Sequence, residues 1–315
     1  MSLIESNYKP DLINCPYCIK ITRPEKRTST VNISVFKSYS TIYVCSECGK
    51  PLDRDYVERK NQINLFIGLV GLEGSGKTSL INDLIRLFVL LSKKNEGIFE
   101  DFYLLPGDDE TSSIIFRDET NSEPPKNNVQ DVYHFNVHHY FDIALASVWL
   151  YDASGEIFRE SRSIISNAGY VAVCQDIYFV FNIADSGPNW SNQLKSLLDT
   201  YLIASNQIGN NLQANQNIKV ILIKSERLLY NDDQKDFSQV LPQINNISDI
   251  SSINYDEISN EIKNNLIKNG CESFCALIDR QFKTVQYYCL TDNKSHELGS
   301  ELADPLIFLF KYSFF

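Results

Sequence analysis

No apolar run in this chain approaches the roughly 18 residues that a bilayer-spanning helix needs, so no membrane span is expected. A secretory signature is also missing: Met1-Ser-Leu-Ile-Glu5 has neither a basic start nor an apolar stretch, and a cytoplasmic location is expected. There is no internal repeat, which argues against a repeat architecture. Nor is there an excess of positive charge. The 40 Asp and Glu outnumber the 29 Lys and Arg, giving −11, and a surface of that sign repels nucleic acid and anionic lipid. The imbalance is uneven: residues 1–60 hold ten basic and seven acidic residues, or +3, so the remainder carries −14. Only the N-terminal segment has a charge that suits a polyanion. The composition is that of a soluble globular protein, 43% hydrophobic and 22% charged over 315 residues. That length allows one large domain with an appendage, or two domains.

The eight cysteines do not have the spacing of a disulfide framework. Cys15-Pro-Tyr-Cys18 and Cys45-Ser-Glu-Cys48-Gly49 form two CxxC knuckles separated by 26 residues. Two tight turns of this kind place two thiolate pairs on one Zn²⁺ in closed tetrahedral coordination. Thr30–Phe36 and Ser40–Val44 between them are alternating and β-branched, which predicts a zinc ribbon, two knuckles on a small antiparallel sheet, over residues 1–58. Four sulfur ligands leave no open position, so the metal is read as a structural staple. Lys20, Arg23, Lys26, Arg27 and Lys37 give the ribbon a mildly basic face, the one place where nucleic acid could bind. Cys174, Cys271, Cys275 and Cys289 read as buried thiols.

The strongest chemical signal is Gly71-Leu-Glu-Gly-Ser-Gly-Lys-Thr78, which fits G-x-x-x-x-G-K-[ST]. An apolar run at Ile63–Val70 precedes it and helical spacing from Ser79 to Leu91 follows, so the context is strand, glycine turn, helix. Such a loop converges backbone N–H groups on a phosphate chain at a helix N-terminus. The reading assigns the loop residues Gly71, Glu73, Gly74, Ser75, Gly76, Lys77, Thr78 and Ser79 to nucleotide binding, with Lys77 on the outer phosphates and Thr78 on Mg²⁺.

Downstream, Lys93–Asp142 reads mostly as loop with a short strand near Val132–His138. Strands are predicted at Ala144–Tyr151, Ile177–Ile183, Ile218–Ile223 and Thr284–Leu290. Helices are predicted at Asn192–Ser205, Tyr255–Lys268 and Leu302–Phe310. Strands separated by helices imply an α/β fold, a mostly parallel sheet with helices on both faces, over residues 61–315. The Ala144–Tyr151 run ends in Asp152-Ala-Ser-Gly155-Glu156. Asp152 suits a Mg²⁺ role and the Gly155 N–H suits contact with a terminal phosphate.

Together the 71–78 loop and the Asp152–Gly155 turn resemble the translation-factor and Ras-like class of P-loop GTPases. The ending Leu302-Ala-Asp-Pro305-Leu-Ile-Phe-Leu-Phe310 is similar to the close of bacterial double-GTPase domains associated with conflict and defence gene systems. The resemblance implies GTP or GDP as ligand, and a threonine after the first helix that reaches Mg²⁺, either Thr111 or Thr120. Its guanine-reading Asn-Lys-x-Asp corresponds here to Ile223-Lys224-Ser-Glu226. Lys224 suits the base and ribose, and Glu226 can accept from guanine, but the asparagine is missing, which leaves ATP as a rival. Glu156 stands where a water-orienting glutamine is common, and Glu73 where many members have glycine. Both departures argue against activation by an inserted arginine and for slow hydrolysis. Three functions follow: a slow GTP-dependent switch with protein partners at its loops or ribbon, an ATPase with a nucleic-acid-gripping ribbon, or a nucleotide-binding scaffold without turnover.

Overall fold

The computed structural model describes residues 11–33, 36–58, 63–84, 102–106, 130–139, 143–183, 188–209, 212–223 and 254–290. The N-terminal part contains β1 (Ile13–Asn14) paired antiparallel with β2 (Ile21–Thr22), and a sheet of β3 (Glu25–Ile33), β4 (Phe36–Val44) and β5 (Pro51–Leu52), closed by helix α1 (Arg54–Glu58). The predicted hairpin is therefore present and longer than its sequence pattern, since β3 begins five residues before Thr30.

Among the described residues the main sheet has seven strands: β6 (Ile63–Val70), β7 (Phe102–Pro106), β8 (Gln130–His139), β9 (Ile143–Ala153), β10 (Asp176–Asn182), β11 (Asn217–Ile223) and β12 (Thr284–Leu290). Their order is β12-β11-β10-β6-β9-β8-β7. The five strands from β12 to β9 are mutually parallel, while β8 runs antiparallel to both β9 and β7. The α/β, mostly parallel architecture is as the sequence implies. The parallel strands read as continuous apolar runs because both faces are covered, and all seven residues of β10 are buried. The stretch read mostly as loop is corrected at two places: β7 lies within it, and β8 spans ten residues rather than a short piece. Cross-strand pairing to β9 supplies the hydrogen bonds that local pattern alone does not specify.

The other helices among the described residues are α2 (77–84, the last described residue of that stretch), α3 (Ser161–Asn167), α4 (Trp190–Ile208), α5 (Tyr255–Leu266) and α6 (Glu272–Gln281). In α4 the buried positions Leu194, Leu197, Leu198, Tyr201 and Leu202 recur at helical spacing, which fixes the face it lays on the sheet. Asn254 caps α5 by accepting from the Glu257 N–H at 3.3 Å.

The N-terminal hairpin and its knuckles do not stand apart from this sheet. Trp149 of β9 is fully buried, and the knuckle residue Tyr17 meets it edge-on at 5.9 Å between centroids. Tyr56 of α1 packs on the same indole at 5.5 Å, and His134 of β8 stacks on it at 3.6 Å. One continuous core thus runs from Cys15 and Tyr43 through Trp149 into the sheet and α4.

Candidate functional site

The carboxyl ends of β6, β9, β10 and β11 meet, which is where open parallel sheets bind ligands. After Val70 the chain turns at 71–76, with Ser75 N–H donating to Leu72 O at 3.1 Å, and enters α2. Gly74 and Gly76 have φ of +75° and +87°, a region that disfavours side chains. A Cβ at Gly76 would also meet Ile223 Cδ1 at 2.9 Å, so the end of β11 lies against the loop. The first helical bond, Leu80 N–H to Gly76 O at 2.9 Å, leaves the earlier amides of α2 free of intrahelical partners.

Lys77 is buried, and its Nζ donates to Gly71 O at 2.8 Å and Leu72 O at 3.3 Å, spanning the base of the loop. The ammonium also sits 5.7 Å from the Phe158 ring centroid. Burial lowers its pKa, and the charges of Asp152 and Glu73 oppose that shift. Thr78 Oγ1 donates to Asp152 Oδ2 at 2.6 Å, joining the first turn of α2 to the end of β9. Asp152 Oδ1 is buried and has no hydrogen-bond partner, and the same holds for Ser75 Oγ. Burial raises the Asp152 pKa, against the Lys77 charge and the Thr78 and Ala153 hydrogen bonds. A desolvated carboxylate with an orphaned oxygen beside a hydroxyl is a donor set that fits a hard cation such as Mg²⁺.

The remaining predicted residues fall into three groups. Gly155 opens a 3-10 turn (Gly155–Arg159) and its Cα faces the loop, so an added methyl would overlap the backbone of Leu72 and Glu73. Glu156, Glu73 and Ser79 are exposed. Lys224, Glu226, Thr111 and Thr120 lie outside the described residues, as do Leu302–Phe310 and most of the 230–270 segment.

Two contacts were not foreseen. Asn182, at the end of β10, donates Nδ2 to Gly74 O at 3.3 Å. Arg159 Nη2 lies 3.2 Å from Glu73 Oε2. Neither is signalled by a motif, since the partners are 108 and 86 residues apart in sequence.

The four knuckle sulfurs converge. Cys15 Sγ and Cys48 Sγ are 3.8 Å apart, Cys18 Sγ and Cys45 Sγ 3.7 Å, and all four lie within 4.8 Å of one another. A tetrahedron with Zn–S of about 2.3 Å has edges of about 3.8 Å, so the cluster has the size of a Cys₄ zinc site. The knuckles match turn for turn: Cys15 N–H donates to Lys20 O at 2.8 Å and Cys45 N–H to Lys50 O at 2.9 Å. The residues after each second cysteine, Ile19 and Gly49, both adopt left-handed φ, +63° and +72°. Burial alone would raise the Cys45 pKa, but the Cys48 and Glu47 N–H groups and the Thr22 hydroxyl outweigh it and bring the thiol to about 6. Cys174, Cys271, Cys275 and Cys289 are buried, as expected, and burial pushes Cys275 up to about 11. Two of the five basic residues proposed as a nucleic-acid face are already paired, Lys20 with Glu47 at 3.6 Å and Arg27 with Glu25 at 3.2 Å.

Among the described residues, no helix is long and apolar enough to cross a membrane. No protein-family model matches the chain, and no curated protein sequence matches it. Among solved structures it is similar to the signal recognition particle receptor SRb–GTP/SRX complex from Chaetomium thermophilum. That match has 14% identity and a TM-score of 0.36, covering 76% of this chain and 94% of that one. It is also similar to nucleolar GTP-binding protein 1 from Plasmodium falciparum, at 10% identity and a TM-score of 0.30, over 74% of this chain and 79% of that one. At such identities and TM-scores the likeness carries no functional argument.

Proposed function

We propose that this chain is a Mg²⁺-dependent switch that binds GTP and hydrolyses it slowly. The observation that carries the reading is the Thr78–Asp152 hydrogen bond with its orphaned Oδ1, beside a buried Lys77 that caps loop carbonyls. A buried ammonium, a buried carboxylate and a glycine turn at one helix N-terminus have little structural use together, but they suit a polyphosphate with a divalent cation. Lys77 would exchange the carbonyls of Gly71 and Leu72 for the outer phosphates, and the amides of Gly74, Gly76, Lys77 and Thr78 would bind the inner ones. Thr78 and Asp152 would hold Mg²⁺, which when bound neutralises charge on the phosphates. The Gly155 N–H would meet the terminal phosphate, and its close approach to the loop backbone supports that role. The catalysis of such a site is positioning and charge stabilisation. Glu156, a carboxylate rather than an amide, would act as a base on the attacking water or repel the phosphate, and the second suits slow turnover.

The base is read as guanine through Lys224 and Glu226, with adenine as the alternative outcome of the test. Residues 1–58 act as a Cys₄ ribbon whose zinc is structural, and residues 61–315 as the nucleotide domain. The ribbon and the loops around the site would recruit protein partners. Nucleic acid is disfavoured as a partner by the Lys20–Glu47 and Arg27–Glu25 pairs. We read the chain as cytoplasmic, and the resemblance of Leu302–Phe310 favours a part in a bacterial conflict or defence type multi-protein system. A binding competition among GTP, GDP, ATP and ADP in Mg²⁺ tests the reading. Preference for the guanine pair is expected, preference for the adenine pair favours an ATPase, and binding of none refutes the switch.

A further inference from the structure

Glu73 stands midway through the phosphate loop, and its carboxylate faces Arg159 at 3.2 Å across the mouth of the site. Both side chains are 63% exposed, and an exposed pair of this kind adds little to stability. Its position is what distinguishes it. Arg159 closes the Gly155–Arg159 turn, and that turn is fixed at two points below it. Gly155 abuts the backbone of Leu72 and Glu73, and the buried Phe158 ring lies against the Lys77 ammonium. The turn therefore delivers the Arg159 guanidinium to Glu73, the same stretch of loop that Gly155 abuts.

Glu73 creates an electrostatic problem for any triphosphate. Its negative charge is close enough to act on Lys77 and would repel an incoming phosphate dianion. A guanidinium has five donors in a planar fork, binds phosphate bidentately and can serve two anions at once. A diphosphate offers no terminal phosphate at that place and leaves the Glu73–Arg159 pair as it stands.

We infer that Glu73 and Arg159 form a charge latch that discriminates triphosphate from diphosphate, in which the terminal phosphate competes with Glu73 for the Arg159 guanidinium. The inference rests on the switch reading above and adds to it a specificity-determining residue. Arg159 supplies the cation that the third phosphate requires, and Glu73 holds that cation in place while the site lacks one. A merely structural pair and a latch make opposite forecasts. Removing either member of a structural pair perturbs the site in the same direction. In a latch, loss of Arg159 weakens triphosphate binding, whereas loss of the Glu73 charge strengthens it.

The test measures affinities of the full chain in Mg²⁺ for GDP and a non-hydrolysable GTP analogue, with the adenine counterparts in parallel. Arg159→Ala should cut the triphosphate-over-diphosphate preference about 10-fold or more, the scale of a lost charge-assisted hydrogen bond, with a smaller loss of diphosphate affinity from the uncovered Glu73 charge. Arg159→Lys should keep part of the preference, as a point charge without the fork. Glu73→Gln should raise the preference a few-fold. An unchanged ratio in Arg159→Ala, or a shift of the same sign in Arg159→Ala and Glu73→Gln, overturns the latch while leaving the switch reading intact. A wild-type chain that binds none of the nucleotides removes both.

Discussion

Trp149→Ala tests whether the N-terminal hairpin and the main sheet share one core. The indole is fully buried between Tyr17 of the first knuckle, Tyr56 of α1, Phe66 of β6 and His134 of β8. An aromatic side chain of this kind buries roughly 150–250 Å², worth about 4–6 kcal/mol at ~25 cal/mol per Å². Alanine recovers a little of that by relaxation, so about 3–5 kcal/mol is expected to be lost. In a domain of this size each kcal/mol lowers Tm by roughly 2–4 °C, so thermal unfolding should fall by about 10 °C. Trp149 Nε1 has no hydrogen-bond partner, so Trp149→Phe strands no polar group and should cost much less. Because Tyr17 lies between Cys15 and Cys18, the alanine variant should also release zinc to a chelator sooner than wild type. A drop of less than about 1 kcal/mol, well below the cost of such a truncation, with zinc release unchanged, would refute a shared core.

Cys45→Ser should reduce bound zinc from one per chain to near zero by metal analysis; retained zinc would rule out the Cys₄ site. Asp152→Asn removes a buried charge, so the chain should unfold at the same or a higher temperature while Mg²⁺-dependent nucleotide affinity falls at least about 10-fold. The pH dependence has a defined sign. Because burial raises the Asp152 pKa above 3.8, its contribution to folding is greatest below 3.8 and is lost as pH rises through the raised value. Mg²⁺ binding needs the carboxylate and runs the other way, weakening as pH falls through that value; a flat profile in calorimetric titrations would count against Asp152 as a ligand. Gly155→Ala sets a methyl against the backbone of Leu72 and Glu73, which should cost about 1–3 kcal/mol in stability and weaken triphosphate more than diphosphate binding.

Much of this fold is legible in the sequence because parallel strands buried on both faces appear as unbroken apolar runs. Ile63–Val70 and Thr284–Leu290 coincide with β6 and β12, and β10 and β11 are each displaced by at most one residue. The knuckles and the glycine loop are equally readable, because spacing alone sets their turns. What escapes is short or depends on distant partners. β7 is only five residues, ends in proline and exists by pairing with β8. Helix α3 is seven residues with a single buried position, Ile164, too short for a periodic signal. Helix α6 follows α5 across a kink at Asn269 and Gly270, where Gly270 has φ of +84°, and its buried positions are only Phe274, Cys275 and Ile278. Of the site, the loop, Thr78 and Asp152 carry motif signals. Arg159 does not, since nothing local distinguishes it from a solvated arginine until the turn brings it to Glu73. The role of Trp149 as the seat of the N-terminal knuckles is likewise a product of packing across three separate segments.

The most direct measurement is calorimetric titration of Mg²⁺–GTP into wild type and Lys77→Ala, with circular dichroism to check that both are folded. Wild type should bind, and the variant should lose at least about 100-fold in affinity, since its ammonium would make several charge-assisted hydrogen bonds to phosphate. Equal affinity in the two folded proteins would contradict the account.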